Sequence, residues 1–187
     1  MENIIEIIGK LSEKKHNPII AIDGPCASGK TTLATLLSEK LGFQIVHMDN
    51  FFLPPDMRTA ERLAKAGGNV HYERFNAEVA DMLKNGSDFI YGIYSCRNGT
   101  VSDSEPISVQ KPVAIEGSYA LHPEISIDYD LKIFVEADLE TRLERILQRN
   151  GAESLEIFKS KWIPLEDRYF SEFEIKSKCD VIIKTDR

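Results

Sequence analysis

Lys30 and Thr31, in that order behind a glycine, have the types and spacing to handle phosphate. With Gly24-Pro25-Cys26-Ala27-Ser28-Gly29 before them they complete G-x-x-x-x-G-K-[ST], the phosphate-binding P-loop. Gly24 and Gly29 allow a tight turn that aims successive backbone N–H groups at phosphate oxygens. The positive end of a helix dipole falls on the same spot. Lys30 brings a mobile charge for the β- and γ-phosphates, and Thr31 a hydroxyl for Mg²⁺. A chain built this way binds a nucleoside triphosphate.

Two carboxylates can face the same phosphate. Asp49 closes one apolar run and Glu116 another, and ligands of open parallel sheets sit at the carboxyl ends of strands. Either group can accept a substrate hydroxyl's proton, or hold Mg²⁺ directly or through water. The plainer role for Asp49 is a turn cap. Arg142, Arg145 and Arg149 recur at i, i+3 and i+7 on one helix, able to close over a transferring phosphate or to pair with Glu140 and Glu144. Arg168 is a further candidate for that task. Cys26 fills a small position in the loop, or offers a thiol at a helix N-terminus. His71 and Tyr72 precede a helix near the substrate side. Phe51, Phe52, Tyr91 and Tyr94 are aromatic candidates for stacking or for the core.

These side chains need a frame. Ile19-Ile20-Ala21-Ile22 reads as a short buried strand before the loop, and Leu33, Leu36, Leu37 and Leu41 mark a helix from near Lys30 to Gly42. A second strand is predicted over 43–47, then a loop with Pro54-Pro55. Helices are predicted over 57–66 and 73–84, with Gly67-Gly68 between them. Asn98-Gly99 between 88–94 and 100–108 signals a hairpin. Residues 112–115, 130–135 and 181–183 supply further strands, and Leu139, Leu143, Ile146 and Leu147 a helix. A short amphipathic helix with Ile4, Ile5, Ile8 and Leu11 comes first. Strands alternating with helices predict one α/β domain over 1–187 with a mostly parallel sheet, a hairpin flap about 88–108 and a lid about 139–152.

At 187 residues and a formal charge of −7, with no basic block, the chain does not read as a nucleic-acid binder. Cys26, Cys96 and Cys179 are an odd, widely spaced set without metal or disulfide pattern, which suits a reducing cytosol. No secretory start and no membrane-length apolar run is present, so the expectation is a cytoplasmic protein. Its partners are then small molecules, with homo-oligomer formation left open.

The stretches Gly24 to Thr32, Met48-Asp49-Asn50-Phe51-Phe52, Ala114-Ile115-Glu116-Gly117-Ser118 and Arg142-Leu143-Glu144-Arg145 come in an order that resembles the uridine kinase-like family of P-loop kinases. His47 to Pro54 is also similar to nicotinamide riboside kinases. The resemblance covers residue 18 to the last strand. It implies ATP and Mg²⁺ as cofactors and transfer of the γ-phosphate to the 5′-hydroxyl of a nucleoside. Asp49 takes the catalytic-base position, Glu116 the strand-end acidic position, and Arg142, Arg145 and Arg149 the lid. Three departures stand out. No aspartate for ribose hydroxyls occurs by His71-Tyr72, Tyr94-Ser95 replaces a Tyr-Asp pair in the hairpin, and Ile146 and Asn150-Gly151-Ala152 thin the lid's basic run. A P-loop regulatory module and a homologue without transfer activity are the competing readings. The first is disfavoured because no N-K-x-D motif occurs, the second because Lys30, Thr31, Asp49 and Glu116 are intact.

Overall fold

The computed structural model describes residues 2–95 and 98–186. Five strands form one parallel sheet: β1 (Ile19–Asp23), β2 (Gln44–His47), β5 (Val113–Glu116), β6 (Leu131–Glu136) and β7 (Val181–Lys184), in the order β2-β5-β1-β6-β7. The pleat sends alternate residues to opposite faces. Ile20, Ile22, Ile133 and Val135 pack on one face with Ile4 and Ile8 of α1 (Glu2–Lys14) and Leu33 and Leu37 of α2 (Lys30–Leu41). Ala21, Ile115 and Phe134 face the other side, against Phe51, Phe75, Val79 and Tyr169. Both faces are covered, which is why the strands read as unbroken apolar runs. Burying each such side chain fully stabilises the fold by roughly 1.5–3 kcal/mol.

The register sets the site. Ile22 of β1 and His47 of β2 both lie opposite Glu116 of β5. Asp23, His47 and Glu116 therefore arrive together at the carboxyl edge, where β1 runs into the phosphate loop. Gly24 has φ 140°, and a Cβ there would lie 2.0 Å from the Val135 carbonyl oxygen. Only glycine fits between β1 and β6.

The stretch predicted as a helix over 57–66 breaks into a 3₁₀ turn, Pro55–Met57, and a single turn α3 (Ala60–Leu63) capped by the Thr59 side chain. Arg58 and Thr59 leave the helical region, with ψ of 57° and 155°, and split the stretch in two. The next helical stretch runs over 72–85 as α4 (Tyr72–Phe75), a π-helical segment Asn76–Ala80 and α5 (Asp81–Asn85). The hairpin pairs β3 (Gly92–Tyr94) with β4 (Val101–Asp103) apart from the main sheet; Cys96 lies outside the described residues. After β6 come α6 (Leu139–Asn150), α7 (Ala152–Ile157), a π-helical segment Phe158–Trp162 and α8 (Ile163–Glu172). In α6 the buried side chains are Arg142 and Ile146, while Leu139 and Leu147 are exposed. The apolar spacing marked the helix correctly but not its inner face, which turns an arginine toward the loop.

Candidate active site

The loop from Gly24 to Gly29 is a concave nest. Gly24, Ala27 and Gly29 have φ of 140°, 58° and 100°, so neighbouring N–H groups converge. No side chain caps α2 and no acidic residue stands in its first turn, which leaves its first N–H groups free for an anion. Ala27 pays for its left-handed backbone without a glycine, and neighbours hold it there. Arg145 donates from Nη1 to the Ala27 carbonyl at 3.1 Å and from Nη2 to that of Thr185 at 2.6 Å. The Thr185 hydroxyl donates to the Ser28 carbonyl at 2.6 Å.

Lys30 is buried and donates to the Pro25 carbonyl at 2.9 Å. The Thr31 hydroxyl reaches Glu116 Oε1 at 3.1 Å, and His47 Nδ1 lies 2.7 Å from Glu116 Oε2. Burial alone would push Glu116 up, but His47, Lys30 and Thr31 together hold its carboxyl below the ordinary range. His47 is raised in turn, chiefly by its bond to Glu116. Asp49 sits on the 3₁₀ turn Met48–Phe51 that leaves β2. Its side chain is open to the cleft while protein crowds its other sides. That crowding raises its carboxyl, Glu116 and Glu166 adding to the effect and Lys30 opposing it. Solvent entering the cleft limits the shift.

Two cavities meet at this point. One, of about 530 Å³, runs along Gly29, Lys30, Thr31 and Thr32 to Arg145 and Arg149. The other, of about 300 Å³, is bordered by Asp49, Phe52, Glu116, Tyr119, Arg149 and Trp162. Of the three arginines of α6, only Arg149 borders both. Arg142 is buried, with Nε on the Cys26 carbonyl at 2.9 Å and Nη2 3.7 Å from Glu166; it braces the loop. The Cys26 thiol is pushed up to about 11 by burial and by Glu166, with Arg142 opposing, and is protonated at neutral pH.

The remaining expected substrate residues sit elsewhere. Phe51 is fully buried between Phe75 and Tyr91, and Tyr94 is buried in β3, so both serve the core. His71 caps α4, and Tyr72 stacks on His122 beneath the Arg62 guanidinium. Arg168 donates to the Ala64 carbonyl at 3.0 Å.

Several residues of the site went unread in the sequence. Asp23 is fully buried and accepts from Gly24 N at 2.7 Å, Leu121 N at 2.9 Å and the Tyr169 hydroxyl at 2.8 Å. Burial raises its carboxyl to about 6 against those bonds. An acidic residue ending an apolar run, the signal that marked Glu116, was there to find it. Glu166 accepts from Cys26 N at 2.8 Å and lies 2.8 Å from the Ser118 hydroxyl. No local pattern pointed to it.

The oxygen donors Thr31, Glu116 and Asp49 suit a hard cation such as Mg²⁺. Among the described residues no cluster of three or more His, Cys, Asp or Glu side chains could hold a metal by itself. Phosphate oxygens and water would complete the shell, the usual arrangement for Mg²⁺ in phosphate-transfer sites. No helix among the described residues is long and apolar enough to cross a membrane.

Comparison with known proteins agrees with this geometry. Residues 20–160 match the model of a family described as AAA domain. A cytidylate kinase of Thermotoga sp. (strain RQ2) is 30% identical over 188 residues, covering 87% of this chain and 82% of that one. Uridine-cytidine kinase B of Dictyostelium discoideum is 27% identical, with 92% and 76% covered. In fold the chain is similar to a structure described as a possible uridine kinase from Bacillus stearothermophilus, at TM-score 0.67 and 22% identity over 98% of this chain and 100% of that one.

Proposed function

The chain belongs to the uridine kinase-like family of P-loop kinases, and from that premise we propose that it transfers the γ-phosphate of ATP to a hydroxyl of a nucleoside-like small molecule. The observation that carries the reading is the meeting of two cavities at Lys30, Thr31 and Arg149, one along the phosphate loop and one past Asp49. The first has the volume and the N–H groups for a triphosphate. The second leaves room for an acceptor whose hydroxyl reaches Asp49.

In this reading the loop N–H groups and Lys30 bind and orient the phosphates, and Lys30 and Arg149 neutralise charge on the transferring group. Arg142 and Arg145 act one step back, by holding the loop carbonyls that keep the N–H groups converged. Thr31 and Glu116, with Asp49 beside them, would hold Mg²⁺, which when bound supplies charge neutralisation across the phosphates. Asp49 accepts the proton of the acceptor hydroxyl as its oxygen bonds to the γ-phosphorus, while the bond from that phosphorus to the β–γ bridging oxygen breaks and ADP leaves. His47 keeps Glu116 ionised and oriented. Phe52 and Trp162 shield the acceptor side from water.

The test is a phosphoryl-transfer screen of the purified chain with ATP and Mg²⁺ against nucleosides, vitamins and sugars. Transfer to none of them, with ATP merely hydrolysed, would overturn the reading. A pH profile examines the base. Asp49 must be ionised to accept a proton, so kcat/KM should climb with pH through its pKa. Crowding lifts that pKa above the ordinary 3.8, so the acid limb should lie above the usual carboxylate range. Asp49→Asn should remove the limb. A limb unchanged in that variant would assign it to another group.

A further inference from the structure

A third cavity, of about 310 Å³, lies beyond the acceptor side of the cleft. Phe52 and Trp162 border both. Their rings, 5.7 Å apart between centroids, line both the place where Asp49 works and the space behind it. Trp162 ends the π-helical segment Phe158–Trp162, an irregularity often found at functional sites.

The chemistry of this space is one-sided. Arg58, Lys161 and Arg168 line it, and no carboxylate does among the described residues. In a chain of formal charge −7 three cations gathered around one cavity call for a partner. None of the three has a carboxylate within 4.0 Å among the described residues, whereas the nearby Arg62 and Arg74 are paired with Glu73 and Glu78. Two are held in place through neutral groups. Arg58 donates from Nε to the Leu53 carbonyl at 2.7 Å, and Arg168 from Nη1 to that of Ala64 at 3.0 Å. Each keeps further N–H groups for something else. Lys161 rests over the Trp162 ring with Nζ 4.7 Å from its centroid.

A buried polar side chain borders the same space. Asn69 borders the cavity, is only 6% exposed, and has its amide against the Tyr119 hydroxyl. That hydroxyl is buried on the acceptor side, and neither group has another side-chain or backbone partner among the described residues. One contact leaves most of the amide's donor and acceptor capacity unused, which a bound polar molecule can take up.

We propose that this cavity is the distal subsite for the acceptor and that it takes an anionic group, a carboxylate or a phosphate monoester. The inference rests on the kinase reading for the identity of the acceptor. The molecule chosen has its reacting hydroxyl at Asp49, an apolar or aromatic middle against Phe52 and Trp162, and its negative charge between Arg58 and Arg168, with the Asn69 amide donating to the same group. A 5′-monophosphate does not meet this description, because there the phosphate is itself the acceptor. The neutral uridine-type acceptor lacks the charge the subsite is built for.

The experiment is calorimetric titration of the whole chain with uridine, orotidine (the same nucleoside carrying a ring carboxylate) and uridine 3′-monophosphate. Pantothenate and its neutral alcohol pantothenol form a second pair. At least one acid should bind roughly 10–100-fold more tightly than its neutral partner, the worth of a hydrogen bond to a charged group. Orotidine or pantothenate alone would identify carboxylate as the group, and the 3′-monophosphate alone would identify phosphate. Arg58→Gln and Arg168→Gln should each reduce that preference by about tenfold or more. Lys161→Gln, at an exposed side chain bonded to no backbone carbonyl, should reduce it without disturbing the fold. Equal binding of acids and neutral partners, a preference untouched by all three variants, or no binding of any of the five would overturn the proposal. Transfer from ATP to the same compounds separates the two readings. Transfer without charge preference leaves the kinase and removes the subsite. Charge-selective binding without transfer does the reverse.

Discussion

Lys30→Ala should lower phosphoryl transfer by at least about 10²–10³, the usual loss when a preorganised electrostatic contact is removed from a water-poor site. The size follows from how the side chain is held. Lys30 is buried, its ammonium bonded to the Pro25 carbonyl at 2.9 Å, with no carboxylate within ion-pair distance among the described residues. A buried cation bonded to one neutral oxygen, with the Glu116 and Asp49 charges felt only from a distance, is already desolvated and has no direct counter-charge. Phosphate supplies that charge, and in the transition state the demand is greatest. Because Nζ gives the folded chain one hydrogen bond, the variant should remain folded by circular dichroism. Steady-state kinetics in saturating ATP is the measurement, and near wild-type turnover would exclude the loop from catalysis.

Asp49→Asn should leave ATP binding in place and cut turnover by roughly 10²–10⁴, the range for a positioned general base. The amide has the carboxylate's shape but cannot take a proton. Glu116, held ionised by His47, remains to serve a metal, so nucleotide affinity should survive. Calorimetry with ATP–Mg²⁺ and turnover measured on the same preparation distinguish the roles. If affinity fell while turnover at saturation held, Asp49 would be a binding group and the proton would leave by another route.

What could be read in the chain beforehand was whatever is local. The P-loop, the strand before it and the helix after it occupy one continuous stretch from Ile19 to Leu41, and their mutual placement follows from adjacency. Glu116 and Asp49 were legible because a carboxylate ending an apolar run stands out. Asp23 carries the same mark and was hidden by the motif beginning at the next residue. Glu166 and Thr185 were beyond reach for a different reason. Each touches the loop across more than a hundred residues, and nothing in their own neighbourhood encodes the contact. The arginines of α6 show the limit of periodicity. The i, i+3, i+7 spacing placed all three on one side of a helix, but only packing decides that Arg142 goes inward while Arg149 meets the cleft. The thinned helix over 57–66 and the two π-helical segments likewise depend on surroundings that propensity does not see.

The clasp between Thr185 and Ser28 also ties the loop to the order in which the chain is made. The two residues are 157 positions apart. At the usual pace of roughly 5–20 residues per second, the loop leaves the ribosome some 8–30 s before the strand that clamps it. Throughout that interval the nascent chain has its glycines and its lysine but lacks the Thr185 contact that holds Ser28 in shape. Nucleotide then cannot act as an early folding aid for the first half of the protein. Cellular ATP should favour only the finished fold, and so arrive as a late stabiliser that traps chains in which β7 has docked. Ribosome-stalled chains ending at residue 180 should accordingly fail to retain ATP–Mg²⁺ in a filter assay, while stalled chains exposed through residue 186 should retain it.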